Sequence, residues 1–281
     1  MIFDETTNPG IGLFDALVLG LVEGLTEFLP ISSTGHLLVA QRLLGLHASD
    51  INNVFVIGIQ MGAITAILVL YWRRLLAAAG TLLRPTRGAP NLLLQIVIAA
   101  APAALLGLAC GDWIEEHLFT SRVVAATMVA GGVLLLALEW WERRRTAAPR
   151  ELEQTSYLTA FGIGLFQCLA LVPGTSRSAA MIGGALVLGL SRTAAAEFSF
   201  LVGLPILFGA SSYRLLSLDT GVASDLVAPL AIGTLVAFLS ALLVVRPFVH
   251  FLRHHTFLPF AWYRVAGGVV LAALCWRQIV E

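Results

Sequence analysis

Six stretches of about twenty apolar residues, at roughly 51–71, 91–111, 122–141, 194–213, 225–245 and 258–280, dominate this sequence. A helix rises about 1.5 Å per residue, so about twenty such residues cross a hydrocarbon core of about 30 Å. Within that core every backbone polar group must be satisfied inside the segment. The stretches therefore predict six membrane-spanning helices in an all-α, polytopic fold, with residues 1–281 forming a single integral membrane domain. A mean hydropathy of +0.87 and a charged fraction of only 12% exclude a soluble globular domain.

Charge sits between the spans, and all 17 basic residues are arginine. They cluster at Arg73, Arg74, Arg84 and Arg87, at Arg143, Arg144, Arg145 and Arg150, and at Arg246 and Arg253. The alternate connections, Asp112 to Glu116 and Ser217 to Asp225, are acidic or nearly neutral. By the positive-inside rule the arginine-rich connections are cytoplasmic, and all six spans obey the alternation. His250, His254 and His255 belong to one basic connection and read as a solvated face. No basic face suited to nucleic acid is present. Asp4 and Glu5 open the chain in place of a basic leader, so no cleavable signal is expected. Cys110, Cys168 and Cys275 are isolated in apolar segments and read as small buried hydrophobes.

Segments 11–46 and 157–190 are apolar but are not ordinary spans. On insertion scales the eleven Ile, Leu, Val and Phe of 11–29 contribute roughly −5 kcal/mol, against about +8 kcal/mol for Asp15, Glu23 and Glu27. Each segment is broken near its middle by Pro, Gly and hydroxyl residues, over Pro30 to Gly35 and over Pro173 to Ser178. Both are expected to form re-entrant helix–loop–helix hairpins. They also resemble each other: Gly20-Leu-Val-Glu-Gly-Leu parallels Gly164-Leu-Phe-Gln-Cys-Leu, and Gly45-Leu46 parallels Gly189-Leu190. Three spans separate them, which forces opposite orientation. An inverted-topology repeat follows, about 11–141 and about 157–280, with the broken tips meeting near mid-membrane, where such folds place their sites.

The tips carry polar chemistry where it is costly, and ionisable groups at membrane depth mark functional sites. Glu23 and Glu27 share one helix face, a turn apart. They repel unless a cation or an Arg balances them, and Mg²⁺ or Ca²⁺ held by carboxylate and phosphate oxygens would do so. Ser32, Ser33 and Thr34 suit a turn and a cap for a helix restarting near His36. His36, three residues from Ser33, is placed to act as its general base or to protonate a leaving group. Arg177 needs an anion, and its planar fork fits phosphate; an ion pair with Glu23 or Glu27 would satisfy it equally. Gly174 lets the backbone approach closely, and the following helix start offers amide donors.

Glu23-Gly-Leu-Thr-Glu-Phe-Leu-Pro-Ile-Ser-Ser-Thr-Gly-His36 and Pro173-Gly-Thr-Ser-Arg-Ser178 resemble the two signature motifs of the bacterial undecaprenyl-diphosphate phosphatases, also called bacitracin-resistance proteins. Glu197-Phe-Ser-Phe and the span pattern are similar too, so the resemblance covers nearly the whole chain. It implies a metal-dependent hydrolase of the bacterial inner membrane that removes the terminal phosphate of undecaprenyl diphosphate. The monophosphate lipid carrier is thereby returned to peptidoglycan synthesis. The resemblance further implies two hairpins, six spans, a site open to the periplasmic face and a tendency to form homodimers. It maps the acidic pair onto Glu23 and Glu27, the nucleophile onto Ser33, the histidine onto His36 and the phosphate-binding arginine onto Arg177. Ser32, Thr34, Gly174, Ser176 and Ser178 complete the candidate substrate contacts. One departure is visible: Ala179-Ala180-Met181 follows Ser178 where the family pattern has Gly-Ala-Thr.

Attack by a metal-activated water is as compatible with these residues as attack by Ser33. A different membrane lipid-phosphatase superfamily is excluded, because its Lys-containing first motif is missing and Gly183 stands where its His would be. A lipid transporter or flippase is the alternative from another class, since inverted repeats with broken helices recur among carriers. A pure carrier, however, has no need of the Ser33/His36 pair.

Overall fold

The computed structural model describes residues 10–46, 49–83, 90–216, 220–277 and 279. Among them are ten α-helices: α1 Leu13–Thr26, α2 Ser33–Leu43, α3 Asp50–Leu83, α4 Leu92–Leu118, α5 Ser121–Glu142, α6 Tyr157–Gln167, α7 Arg177–Val187, α8 Arg192–Leu216, α9 Thr220–Leu252 and α10 Leu258–Trp276. Short 3₁₀ turns cover Leu152–Gln154 and Cys168–Leu171. Among the described residues there is no strand, only an isolated bridge between Arg150 and Leu190.

Six helices are long and apolar enough to cross a membrane, namely α3, α4, α5, α8, α9 and α10. Four contain an expected span whole; 91–111 begins one residue before α4, and 258–280 runs past the end of α10 at Trp276. Their lipid-ward faces expose Leu105, Leu108, Leu134 and Leu243, an arrangement that water would penalise and hydrocarbon does not. Side-chain caps start several of them: Asn91 Oδ1 accepts from Leu93 N at 2.9 Å, and Thr120 Oγ1 from Val123 N at 3.3 Å. The 34 residues of α3 extend well past a hydrocarbon core, which carries Arg73 and Arg74 out of it.

The other four helices, 14, 11, 11 and 11 residues long, are too short to span alone. α1 packs on α2 and α6 on α7, so each pair folds back on itself. The breaks lie slightly earlier than the Pro/Gly pattern predicts. α1 stops at Thr26, ahead of Pro30, and α2 restarts at Ser33, not near His36. Ser32 causes the early restart: its hydroxyl accepts from Gly35 N at 3.4 Å, and Ser176 caps α7 in the same way through Ala179 N at 3.2 Å. Among the described residues, Ser32 (φ 73°) and Ser176 (φ 70°) are the two non-glycine positions with positive φ. That conformation is costly for a side-chain-bearing residue and gathers at functional sites.

Packing partners exchange between the two halves. α1 lies on α9 and α6 on α4, while α3 pairs with α8 and α5 with α10. The α5–α10 seam is tight because glycine faces backbone on both sides. A Cβ on Gly132 would come within 2.8 Å of Ala261 O, and one on Gly268 within 3.0 Å of Ala125 O. Both glycines belong to matching stretches, Val129-Ala-Gly-Gly-Val and Val265-Ala-Gly-Gly-Val, each followed by Trp a little further on. The main core, with Phe28, Ile163, Met181, Phe198 and Phe200, is assembled around the α1 and α7 tips.

Expectations for Asp4, Glu5, Arg84 and Arg87, and for Ser217 to Asp219, concern positions outside the described residues. The acidic end is not free of arginine: Arg214, at the end of α8, pairs with Glu115.

Candidate active site at the hairpin tips

Glu27 is the residue after the last turn of α1, where its backbone N–H still donates to Glu23 O at 2.9 Å. Its carboxylate, on a residue 6% exposed, points across the break. One oxygen accepts from Ser33 Oγ at 2.6 Å and the other from Arg177 NH2 at 3.2 Å. Ser33 opens α2 and Arg177 opens α7, so a single carboxylate joins the two hairpins, with Arg177 150 residues further along the chain. Arg177 NH1 also donates to Ser199 O at 2.7 Å, and the guanidinium lies against Gly203, where a Cβ would sit 2.7 Å from Cζ. Among the described residues its Nε has no hydrogen-bond partner. The ion pair foreseen as one way of satisfying Arg177 is present, with Glu27 as the acid.

Glu23, one turn earlier, is fully buried, and among the described residues neither carboxylate oxygen has a hydrogen-bond partner. It lies within electrostatic reach of Glu27 and Arg177. A buried carboxylate without a donor is costly, and a hard cation or a proton would relieve it. Among the described residues no group of three or more His, Cys, Asp or Glu could hold a metal. A cation here would draw on Glu23, Glu27 and oxygens from a ligand, a donor set that suits Mg²⁺ or Ca²⁺. In the second hairpin the matching position is Gln167, also buried with an unpartnered amide. Hairpin one alone therefore supplies carboxylates.

His36 sits differently from what its spacing suggests. Its Nδ1 is 2.7 Å from Ser32 O and its Nε2 is 2.6 Å from Tyr263 Oη. The carbonyl can only accept, so Nδ1 carries the proton and neutral Nε2 accepts from the tyrosine hydroxyl. The rings stack with centroids 5.5 Å apart. Ser33 thus hands its hydrogen bond to Glu27 and not to His36, because the first turn of α2 turns Oγ toward the end of α1 while the imidazole folds back on the Ser32 cap.

The remaining candidates divide. Ser178 is buried and donates to Leu29 O at 2.8 Å, with Ser176 Oγ 3.0 Å away. It ties one hairpin to the other and does not present a free hydroxyl. Ser32 is 1% exposed and acts as a cap. Thr34 is exposed on the outer side of α2. Gly174 is required where it stands: φ is +84° and a Cβ would come within 2.7 Å of Val124 O. The first-turn amides of α2 and α7 both open toward the break, and two helix N-termini favour an anion there.

Sequence reasoning missed Arg264. Fully buried in α10, it reaches Pro30 O at 3.5 Å, Gly174 O at 3.1 Å and Thr127 O at 3.1 Å. It therefore holds the broken backbone of both hairpins at once, seated against Gly131. Thr127 adds a bond from Oγ1 to Pro173 O at 2.6 Å. The signal was available, since a lone Arg inside an apolar span is a functional flag. Tyr263, Ser199 and Gly203 carried no such signal.

The family model described as bacitracin resistance protein BacA matches residues 16–270. An undecaprenyl-diphosphatase of Acidovorax ebreus is 45% identical over 271 residues, covering 95% of this chain and 97% of the relative. Undecaprenyl-diphosphatase 2 of Rhodospirillum rubrum is 46% identical over 273 residues, with 96% and 97% covered. An undecaprenyl-diphosphatase of Polaromonas naphthalenivorans is 44% identical over 271 residues, with 95% and 97% covered. With a match along nearly its whole length, the chain belongs to the bacitracin resistance protein BacA family.

Proposed function

We propose that this protein hydrolyses undecaprenyl diphosphate to undecaprenyl phosphate and inorganic phosphate in a bacterial inner membrane. This returns the lipid carrier to peptidoglycan synthesis and confers bacitracin resistance. The observation that carries the reading is the unbroken link Ser33–Glu27–Arg177 across the two hairpins, at 2.6 and 3.2 Å. The relatives named above are diphosphatases, and nothing favours the transport alternative.

Glu27 takes the proton that Ser33 already shares with it, and Ser33 Oγ attacks the terminal phosphorus. The Oγ–P bond forms as the bridging P–O bond breaks, and undecaprenyl phosphate leaves. Water then cleaves the phosphoserine and releases phosphate. Arg177 exchanges part of its pairing with Glu27 for the phosphate oxygens. With the two helix N-termini it stabilises the charge that develops in the transition state, which is where most of the rate enhancement in phosphoryl transfer arises. His36 and Tyr263 hold the start of α2 in register. Mg²⁺ or Ca²⁺ at Glu23 and Glu27 would neutralise phosphate charge when bound; the orphaned Glu23 carboxylate supports that assignment. The short Ser33–Glu27 bond favours the serine over a water nucleophile.

The tips are reached through the membrane, with α1–α2 entering from the periplasmic side and α6–α7 from the cytoplasmic side. The exchange of packing partners between halves and the shared Ser32/Ser176 backbone support this inverted repeat. The prenyl tail lies in lipid between helices. The distribution of Arg73, Arg74, Arg143, Arg144, Arg145, Arg246 and Arg253 supports a cytoplasmic side at that end, and the acidic Asp112–Glu116 end a periplasmic opening.

The test is phosphate release by purified, detergent-solubilised protein given a long-chain prenyl diphosphate, with and without EDTA. Release that is abolished in Glu27→Gln and Arg177→Ala is expected. Wild-type release by either variant would overturn the assignment; unchanged release in EDTA would remove only the metal.

A further inference from the structure

A second polar cavity lies away from the hairpin tips, at the arginine-rich end of the helices. It measures about 320 Å³ and is formed where the end of α3, the start of α8 and the end of α9 meet. Arg246 and His250 line it from α9 and Arg253 from the turn that follows, with Tyr71 from α3 and Glu197 from α8, beside the apolar Val245 and Val249. Arg246 and His250, four residues apart, share one face of α9, and Arg253 follows at its end.

The charges do not cancel. Glu197, the one acid in the wall, is already bound by Arg74 at 2.7 Å. Arg246 and Arg253 are exposed, and among the described residues neither makes an ion pair. Other arginines at this end are used by the fold. Arg145 donates to Leu186 O and Gly189 O, Arg150 to Leu188 O, and Arg192 to Glu139. Topology alone asks for positive charge at this end but not for two unspent guanidiniums converging on a cavity. Nothing in the proposed hydrolysis uses them.

We propose that this cavity binds the phosphate of an anionic phospholipid. Its volume of about 320 Å³ admits a phosphate group, Val245 and Val249 add apolar lining, and it stands at the arginine-rich end of the spans; basic pockets between transmembrane helices bind acidic lipids in this way. Arg246 and Arg253 hold the phosphate, with His250 and the Tyr71 hydroxyl as further donors. The lipid bridges α3, α8 and α9 and so braces α8, whose Ser199 carbonyl and Gly203 seat Arg177.

The test titrates the purified full chain in detergent with phosphatidylglycerol bearing a fluorescent acyl chain. Unlabelled phosphatidylglycerol, phosphatidylcholine and inorganic phosphate serve as competitors. The double variant Arg246→Gln/Arg253→Gln is compared with Arg143→Gln/Arg144→Gln, which removes equal charge from the same end outside the cavity. Retained helicity and a single symmetric elution peak show that each variant is folded; if the double variant is not, Arg253→Gln alone replaces it. Binding weakened on the order of tenfold in the cavity variant, with the control unchanged and phosphatidylcholine a poor competitor, is expected. Equal weakening in both double variants, equal competition by phosphatidylcholine, or displacement by inorganic phosphate as effective as by phosphatidylglycerol would overturn it.

Discussion

Ser33 and Glu27 meet because α1 ends at Thr26 and α2 starts at Ser33, so the chain reverses within a short break. The short Oγ–carboxylate bond supports the proposed role of Glu27 as base for this serine. Ser33→Ala is expected to lower kcat by about three orders of magnitude or more, with little change in unfolding midpoint, read by phosphate release and thermal unfolding. Glu23 should behave in the opposite way. Among the described residues its carboxylate is buried without a donor, so Glu23→Gln should raise stability by about 1–3 kcal/mol while weakening the proposed divalent-cation dependence of activity. A lowered midpoint would show that Glu23 has a partner in the protein. Arg264→Met removes a donor from three carbonyls, those of Pro30 and Gly174 in buried contacts, and a loss of about 3 kcal/mol or more is expected, seen as a lower midpoint together with lost phosphate release.

At the scale of elements, the hairpins owe their shape to a few positions where the backbone does something unusual. Gly174→Ala forces a side chain into positive φ and against Val124 O, which should cost about 1–3 kcal/mol and displace Arg177 from Glu27. A Cβ added at Gly183 meets open packing, with Leu138 Cδ2 at 3.7 Å, and Gly183→Ala is expected to leave midpoint and activity unchanged. Pro30 and Pro173 announced the breaks in the sequence, but the helix restarts were set by Ser32 and Ser176, whose caps were legible only as residue types. Glu23, Glu27, Ser33 and Arg177 were legible because charge and hydroxyls stood out against apolar runs. The partnership of Ser33 was not, because a three-residue separation from His36 says nothing about which way either side chain turns from the first turn of α2. Arg264, Tyr263 and Thr127 act across α5 and α10, and a linear reading of spans as inert lipid anchors passes over such contacts.

For the whole molecule, the six spans were fixed by length and apolarity, and each matches a long helix. Pairing between helices was less visible. The Val-Ala-Gly-Gly-Val stretches of α5 and α10 could have signalled their close approach, whereas the α1–α9 and α4–α6 pairings depend on how distant faces fit. The proposed inverted repeat makes a topological prediction. In a background lacking the native cysteines, Arg144→Cys and Glu115→Cys should be labelled from opposite sides of a sealed membrane, Arg144→Cys from the cytoplasm. Labelling from one side would break the alternation.

The central claim is that two hairpins, far apart in sequence, form one catalytic unit through Glu27. Single-turnover phosphate release from undecaprenyl diphosphate by Ser33→Ala, Arg177→Ala and the double variant tests it most directly. Groups that act together are strongly non-additive, so each single change should remove about as much rate as both combined. Losses that simply multiply, or a single variant that keeps the wild-type rate, would contradict a shared site.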